Sequence, residues 1–154
     1  MPDTDLASWL VRLENQHEEP IQLGLERVAL VWKRLISNMP ELESRREKLK
    51  TISVAGTNGK GSTVACLESL LLAHDYRVGA YTSPHFFNYN ERIRINGKMV
   101  SDKALVEAFE AIENAAVGLS LTYFEYGTLA ALMLFLRSHV QIQLLEVGLG
   151  GRLD

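Results

Sequence analysis

Gly56-Thr57-Asn58-Gly59-Lys60-Gly61-Ser62-Thr63 is the stretch of this sequence whose residue types best suit polyphosphate. Glycines let a backbone curl until successive N–H groups converge on anionic oxygens. A helix starting at that point adds the positive end of its dipole and first-turn amides with no acceptor of their own. Lys60 supplies a mobile full charge for the β and γ phosphates, and the Ser62 or Thr63 hydroxyl can reach phosphate or magnesium. The match to the strict phosphate-loop pattern is imperfect: its opening glycine is absent, and Gly61 stands where Ser or Thr would follow the lysine. The competing reading is a glycine-rich turn with an exposed lysine. An expected strand before the loop and helix after it favour phosphate.

Two further positions carry hard oxygen donors of the kind magnesium prefers. A second expected strand delivers Ser83-Pro84-His85, and a third delivers Glu146 after mostly apolar residues. Taken singly, Ser83 could begin a turn before proline and Glu146 could be a solvated carboxylate. Ligands of open α/β sheets gather beyond the carboxyl ends of the strands. If these strands are parallel neighbours, loop, hydroxyl and acid meet there and complete a magnesium–nucleotide site. The histidines at positions 17, 74, 85 and 139 lack zinc-ligand spacing, and the lone Cys66 supplies no soft site. Cys66 is expected on the inner face of its helix. His85 is either a phosphate or substrate contact or plain surface. Arg92 and Arg94 either steer an anionic ligand or form the wet face of a hairpin. No Ser-His-Asp or Cys-His arrangement is visible.

The elements that must position these residues read as follows. Leu6, Trp9, Leu10 and Leu13 recur at one-face helical spacing, as do Leu25, Val28, Ala29, Trp32, Leu35 and Ile36. Residues 41–50 (ELESRREKLK) mix both signs and read as a solvated helix face or connector. Thr51–Ala55 is short, β-rich and ends on Gly56, which predicts a buried strand. Val64, Leu67, Leu70 and Leu71 predict a helix, and Arg77–Thr82 a second strand. After a long stretch without helical periodicity, Ile93 and Ile95 alternate with Arg92 and Arg94, Asn96-Gly97 offers a tight turn, and Lys98–Val100 can return as a hairpin. Ser101 or Asp102 can cap a helix with Leu105, Ala108, Phe109, Ile112 and Ala116 on its apolar face. Thr122 and Glu125 form a capping box before Tyr126–Leu136, a helix apolar nearly all round and so buried on several sides. Gln141–Val147 is the third strand, followed by the glycine-rich GLGGRLD. Strands alternating with helices predict an α/β fold, a mainly parallel sheet with helices on both faces.

Bulk properties narrow the function. With 154 residues, 47% hydrophobic and 23% charged, the chain can build one real core. A net charge of −3 creates no basic field for nucleic acid or anionic membrane. No segment reaches the ~18 uninterrupted apolar residues of a membrane span. Acids stand where a signal peptide would be basic, and one cysteine fits a reducing compartment, so the expectation is a soluble cytoplasmic protein.

AGTNGKGST, YTSPHF followed by NERIRING, LTYFEYGTLAAL and LLEVGLGGRLD, in this order and spacing, resemble the bacterial folylpolyglutamate synthase/dihydrofolate synthase family of Mur-type amide ligases. The resemblance takes in LGLERV at Leu23–Val28 and so spans nearly the whole chain. The phosphate loop alone points only to the wider superfamily; the TSPH and EVGLGGRLD segments narrow it to the folate branch. The resemblance implies ATP-dependent activation of the carboxylate of dihydropteroate, or of a reduced folate, as an acyl phosphate. The α-amine of L-glutamate then attacks to give an amide. It implies that Thr57, Asn58, Gly59, Lys60, Gly61 and Ser62 hold the ATP phosphates, and that Ser83 and Glu146 bind Mg2+. Lys60 and Glu146 are then the catalytic clamps, while Thr122, Tyr123, Phe124, Glu125, Leu153 and Asp154 border the pterin substrate.

In that family the sequence continues past GGRLD with a metal-binding histidine, a carbamylated lysine, adenine contacts and a C-terminal domain. The expectation is therefore an N-terminal part of the ATP-binding ligase domain, with residues 1–50 a helical lead-in and 51–154 a βα core. Such a part is expected to show no turnover alone, and the full-length protein to be monomeric. Two other readings remain: a Mur-type ligase for peptidoglycan precursors, and a nucleotide-binding module without chemistry.

Overall fold

A computed structural model describes residues 5–16 and 25–148. Helix α1 (Leu6–Asn15) starts where the Asp5 carboxylate accepts the Ser8 amide at 2.8 Å, and it buries Leu6, Trp9 and Leu13. Helix α2 (Glu26–Ser37) buries Val31, Leu35 and Ile36. The mixed-charge segment forms a short helix, α3 (Pro40–Arg46), started by proline in its first turn and anchored by buried Leu42. Its Arg45 donates to the Leu136 carbonyl.

The sheet contains β1 (Lys50–Val54), β2 (Val78–Tyr81), β3 (Ile93–Ile95), β4 (Lys98–Met99) and β5 (Ile142–Glu146), in the order β1-β5-β2-β3-β4. The last strand in sequence inserts between the first two, parallel to both, with Val54 opposite Glu146 and Tyr81 opposite Leu145. Strands β3 and β4 continue the sheet as an antiparallel hairpin. Its turn is the expected Asn96-Gly97, with φ of 50° and 76°, the left-handed pair that a tight hairpin needs. The Asn96 side chain accepts the Val78 amide at 2.9 Å and fixes the hairpin to β2.

Helices cover both faces. Helix α4 (Lys60–Ala73) packs Val64 against Val78, Ala80, Ile142 and Leu144. On the other face lies α6 (Tyr123–Arg137), buried on several sides as its composition predicts, with α5 (Asp102–Ala115), α1 and α2 stacked around it. Gly79 permits this approach: a Cβ there would sit 2.4 Å from the Phe135 ring. Of the two candidate caps for α5, Ser101 serves, its hydroxyl accepting the Ala104 amide at 3.2 Å.

Three expectations need correction. Strand β1 is not buried; it lies at the sheet edge, and Ile52 is 36% exposed. Apolar sequence marks a strand but cannot tell a central position from an edge. Cys66 is exposed. The inward face of α4 carries Val64 and Glu68, and a step of two residues from Val64 points to the opposite side. Helix α6 begins at Tyr123, because the box residue Glu125 lies inside the first turn that Thr122 caps.

Candidate functional site

Three parallel strands end on one edge, and their sequels meet there. Beyond β1 the chain runs through Gly56 (φ 155°) to Gly59, whose φ of 77° is left-handed and caps α4. A side chain at Gly59 would be strained, so glycine here is what turns the loop into the helix. Thr57, Asn58, Gly59 and Ser62 are exposed around this N-terminus. Amides before Thr63 precede the first intrahelical bond and face outward without helical acceptors. The Lys60 ammonium donates to the Gly56 carbonyl at 3.0 Å. Of the two candidate hydroxyls, Thr63 donates to the Gly59 carbonyl at 2.9 Å, while Ser62 is exposed at the start of the helix.

Glu146, at the end of β5, is 8% exposed. Its Oε2 accepts the Ser83 amide at 3.2 Å. A Cβ on Gly61 would stand 3.9 Å from the same oxygen. Phosphate loop, Ser83 and Glu146 are thus brought together, as the parallel-neighbour expectation requires. Among the described residues no group of three or more His, Cys, Asp or Glu could hold a metal. One carboxylate and one hydroxyl nevertheless fit magnesium, which takes few protein ligands and completes its octahedron with phosphate and water.

The other residues singled out by the sequence stand at the start of α6. Thr122 and Glu125 make a reciprocal capping box, the Glu125 carboxylate accepting the Thr122 amide at 2.7 Å. The other carboxylate oxygen of Glu125 pairs with Arg27 at 2.8 Å. Tyr123 meets Tyr89 edge-on at 5.4 Å, and Phe124 packs on Tyr81 at 5.9 Å, so α6 opens against the end of β2. Burial pushes the Tyr123 phenol up, partly offset by Arg92. Burial, reinforced by Tyr81 and Tyr123, pushes Tyr89 well up, and burial near Glu113 takes Tyr126 to about 12. These phenols stay neutral near pH 7. Leu153 and Asp154 lie outside the described residues.

The arginines and His85 are neither free anion steerers nor plain surface. Arg92 donates from Nε to His85 Nδ1 at 2.9 Å and stacks over Tyr89 and Tyr123. Arg94 turns inward to Glu68 at 2.9 Å. Sequence reasoning missed Arg27, Glu68 and Glu91. Glu91 accepts the amides of Phe86, Phe87 and Asn88 at 2.7–2.9 Å, which holds its carboxyl below the usual range. The loop so gathered presents Phe86 and Phe87, 86% and 90% exposed. The Asn88-x-x-Glu91 spacing was a readable capping box, and Glu68 stands four residues after inward-facing Val64.

The class is now defined: a phosphate-loop α/β domain with helices on both faces of its sheet. No family model matches the chain. It is 51% identical to the dihydrofolate synthase/folylpolyglutamate synthase of Escherichia coli, over 97% of this chain and 34% of that protein. The namesake in Haemophilus influenzae is 46% identical over 97% of this chain and 32% of its own length. E. coli FolC in complex with DHPP and ADP superposes with a TM-score of 0.89 at 49% identity, covering 100% of this chain and 36% of that one. The Yersinia pestis bifunctional enzyme complexed with AMPPNP and Mn ion gives 0.84 at 47% identity, over 100% of this chain and 36% of that one. The chain therefore belongs with the N-terminal portion of the bacterial folylpolyglutamate synthase/dihydrofolate synthase family, and spans about a third (34%) of the E. coli relative's length. No helix among the described residues is long and apolar enough to cross a membrane.

Proposed function

We propose that this chain supplies the phosphate- and metal-binding part of an ATP-dependent amide ligase that joins L-glutamate to dihydropteroate or reduced folates. The observation that carries the reading is the meeting of Lys60, Ser83 and Glu146 on one sheet edge, with Glu146 bonded to the Ser83 amide. The relatives named above were solved with ADP or AMPPNP, one with DHPP and another with Mn.

A carboxylate becomes a useful electrophile only when one oxygen is made a leaving group, and stabilising a transferred phosphoryl calls for cationic clamps rather than a protein nucleophile. Bound magnesium would supply the Lewis acid that neutralises charge on the phosphate oxygens. Lys60 lies at the helix N-terminus, within reach of phosphates held by the amides of Thr57–Ser62. Glu146 and the Ser83 hydroxyl would hold the metal beside them. Thr122–Glu125 would line the acceptor side, where the ion pair with Arg27 holds the Glu125 carboxylate in place. The domain reading, residues 1–50 as lead-in and 51–154 as βα core, goes with this proposal.

Glu146→Gln keeps shape and removes a charge. By titration calorimetry it should cut the magnesium-dependent part of ATP affinity by roughly tenfold or more, with the circular dichroism spectrum unchanged. An unaltered magnesium titration rejects Glu146 as the ligand.

A further inference from the structure

We propose that Arg94, clamped by Glu68, is a positioning residue that sets Ser83 against the phosphate loop; this rests on the reading of the site given above. Nε and Nη2 of Arg94 both donate to Glu68 Oε2, at 3.0 and 2.9 Å. Its Nη1 donates to the Thr82 hydroxyl and to the Glu91 carbonyl, each at 3.3 Å. One planar guanidinium thus joins three segments. Glu68 lies about two turns along α4 from Lys60. Thr82 immediately precedes Ser83. Glu91 is the residue whose carboxylate gathers the amides of Phe86, Phe87 and Asn88 just beyond Ser83.

The pair is an expensive way to fill this space. The Glu68 side chain is 8% exposed and that of Arg94 22%, and Glu68 Oε1 is buried without a hydrogen-bond partner. Desolvating such a pair commonly offsets its attraction, and apolar residues of similar volume pack as well or better. What apolar residues cannot supply is direction. A fork of donors fixes the angle between α4, which carries Lys60, and the β2 exit, which carries Ser83. A second tie, from the Ser83 amide to the Glu146 carboxylate, joins the β2 exit to the end of β5. Ser83 and Glu146 would hold magnesium beside the loop only with both ties in place, because magnesium tolerates little departure from its preferred geometry.

The test measures ATP affinity of the chain by calorimetry with magnesium and with EDTA, and takes the ratio. A purely structural role leaves that ratio alone. The double variant Glu68→Met/Arg94→Met removes both charges together and so strands neither. It should melt as a folded protein and keep its EDTA affinity within about twofold, while the magnesium ratio falls about tenfold. Arg94→Lys keeps the charge but not the fork, and should lower the ratio by several-fold with the fold intact. It decides the matter if the double variant does not fold. A wild-type ratio in a folded double variant, or in Arg94→Lys, overturns the proposal while Glu146→Gln still loses its response. A wild type whose ATP affinity ignores magnesium overturns the proposal and the underlying reading together.

Discussion

On the α6 face of the sheet, Phe109, Leu105, Ile112, Leu129, Met133 and Phe135 are completely enclosed, and Trp9 closes the far side at 5.6 Å from the Phe109 ring. On the α4 face, Val64, Val78, Ala80, Ile142 and Leu144 form the buried cluster among the described residues, while Leu70 is left 54% exposed. The first face holds most of the chain's apolar burial, and the second carries the phosphate loop at its end. On the proposed reading, most of the folding free energy and the phosphate contacts therefore lie on opposite faces of the sheet, while the start of α6 serves both. A substitution should disturb one without the other.

The largest expected effect is on the thick side. Phe109→Ala removes a ring in contact with Trp9, Tyr89 and Tyr126, and should cost about 3–5 kcal/mol in urea unfolding. A loss under about 1 kcal/mol would mean this face is not where stability is concentrated. Next, Lys60→Ala on the thin side should weaken ATP binding by about 1.5–3 kcal/mol, the range of hydrogen bonds to charged groups. Its unfolding midpoint should move by no more than about 0.5 kcal/mol equivalent. Unchanged ATP affinity breaks the assignment, and a large stability loss breaks the segregation.

The smallest effect concerns the loop after Ser83. Glu91 has its carboxyl held down by the Phe86, Asn88 and Phe87 amides, so its contribution is present above the ordinary glutamate range. That contribution is lost as pH falls through the lowered folded value. Hydrogen exchange should show the three amides losing protection in acid while β5 and α6 keep theirs. Equal loss throughout would erase the distinction between local and global opening.

Much of this was legible in the chain. The turn at Asn96-Gly97, the caps at Ser101 and Thr122, and the strand–loop–helix at Lys60 were readable because each rests on local backbone chemistry. The convergence of Ser83 and Glu146 could be stated only as a condition, since nothing local says that β5 inserts between β1 and β2. Long-range partners were invisible for the same reason. Arg27 finds Glu125, and Arg94 finds Glu68, across distances no periodicity encodes. The exposure of β1 and Cys66 escaped because composition reports what a residue prefers, whereas strand order and helix phase decide what it receives.

One contact bears on how an anion would be received. The Lys60 ammonium rests on the carbonyl of Gly56, a residue of its own loop. Its long side chain is therefore already ordered, and the roughly 1.5–2 kcal/mol of rotamer freedom such a chain can lose is not charged against capture. On the proposed reading, an arriving phosphate would need only to outcompete a neutral acceptor. The loop keeps its cation aimed by lending it a weak partner that a stronger one can displace.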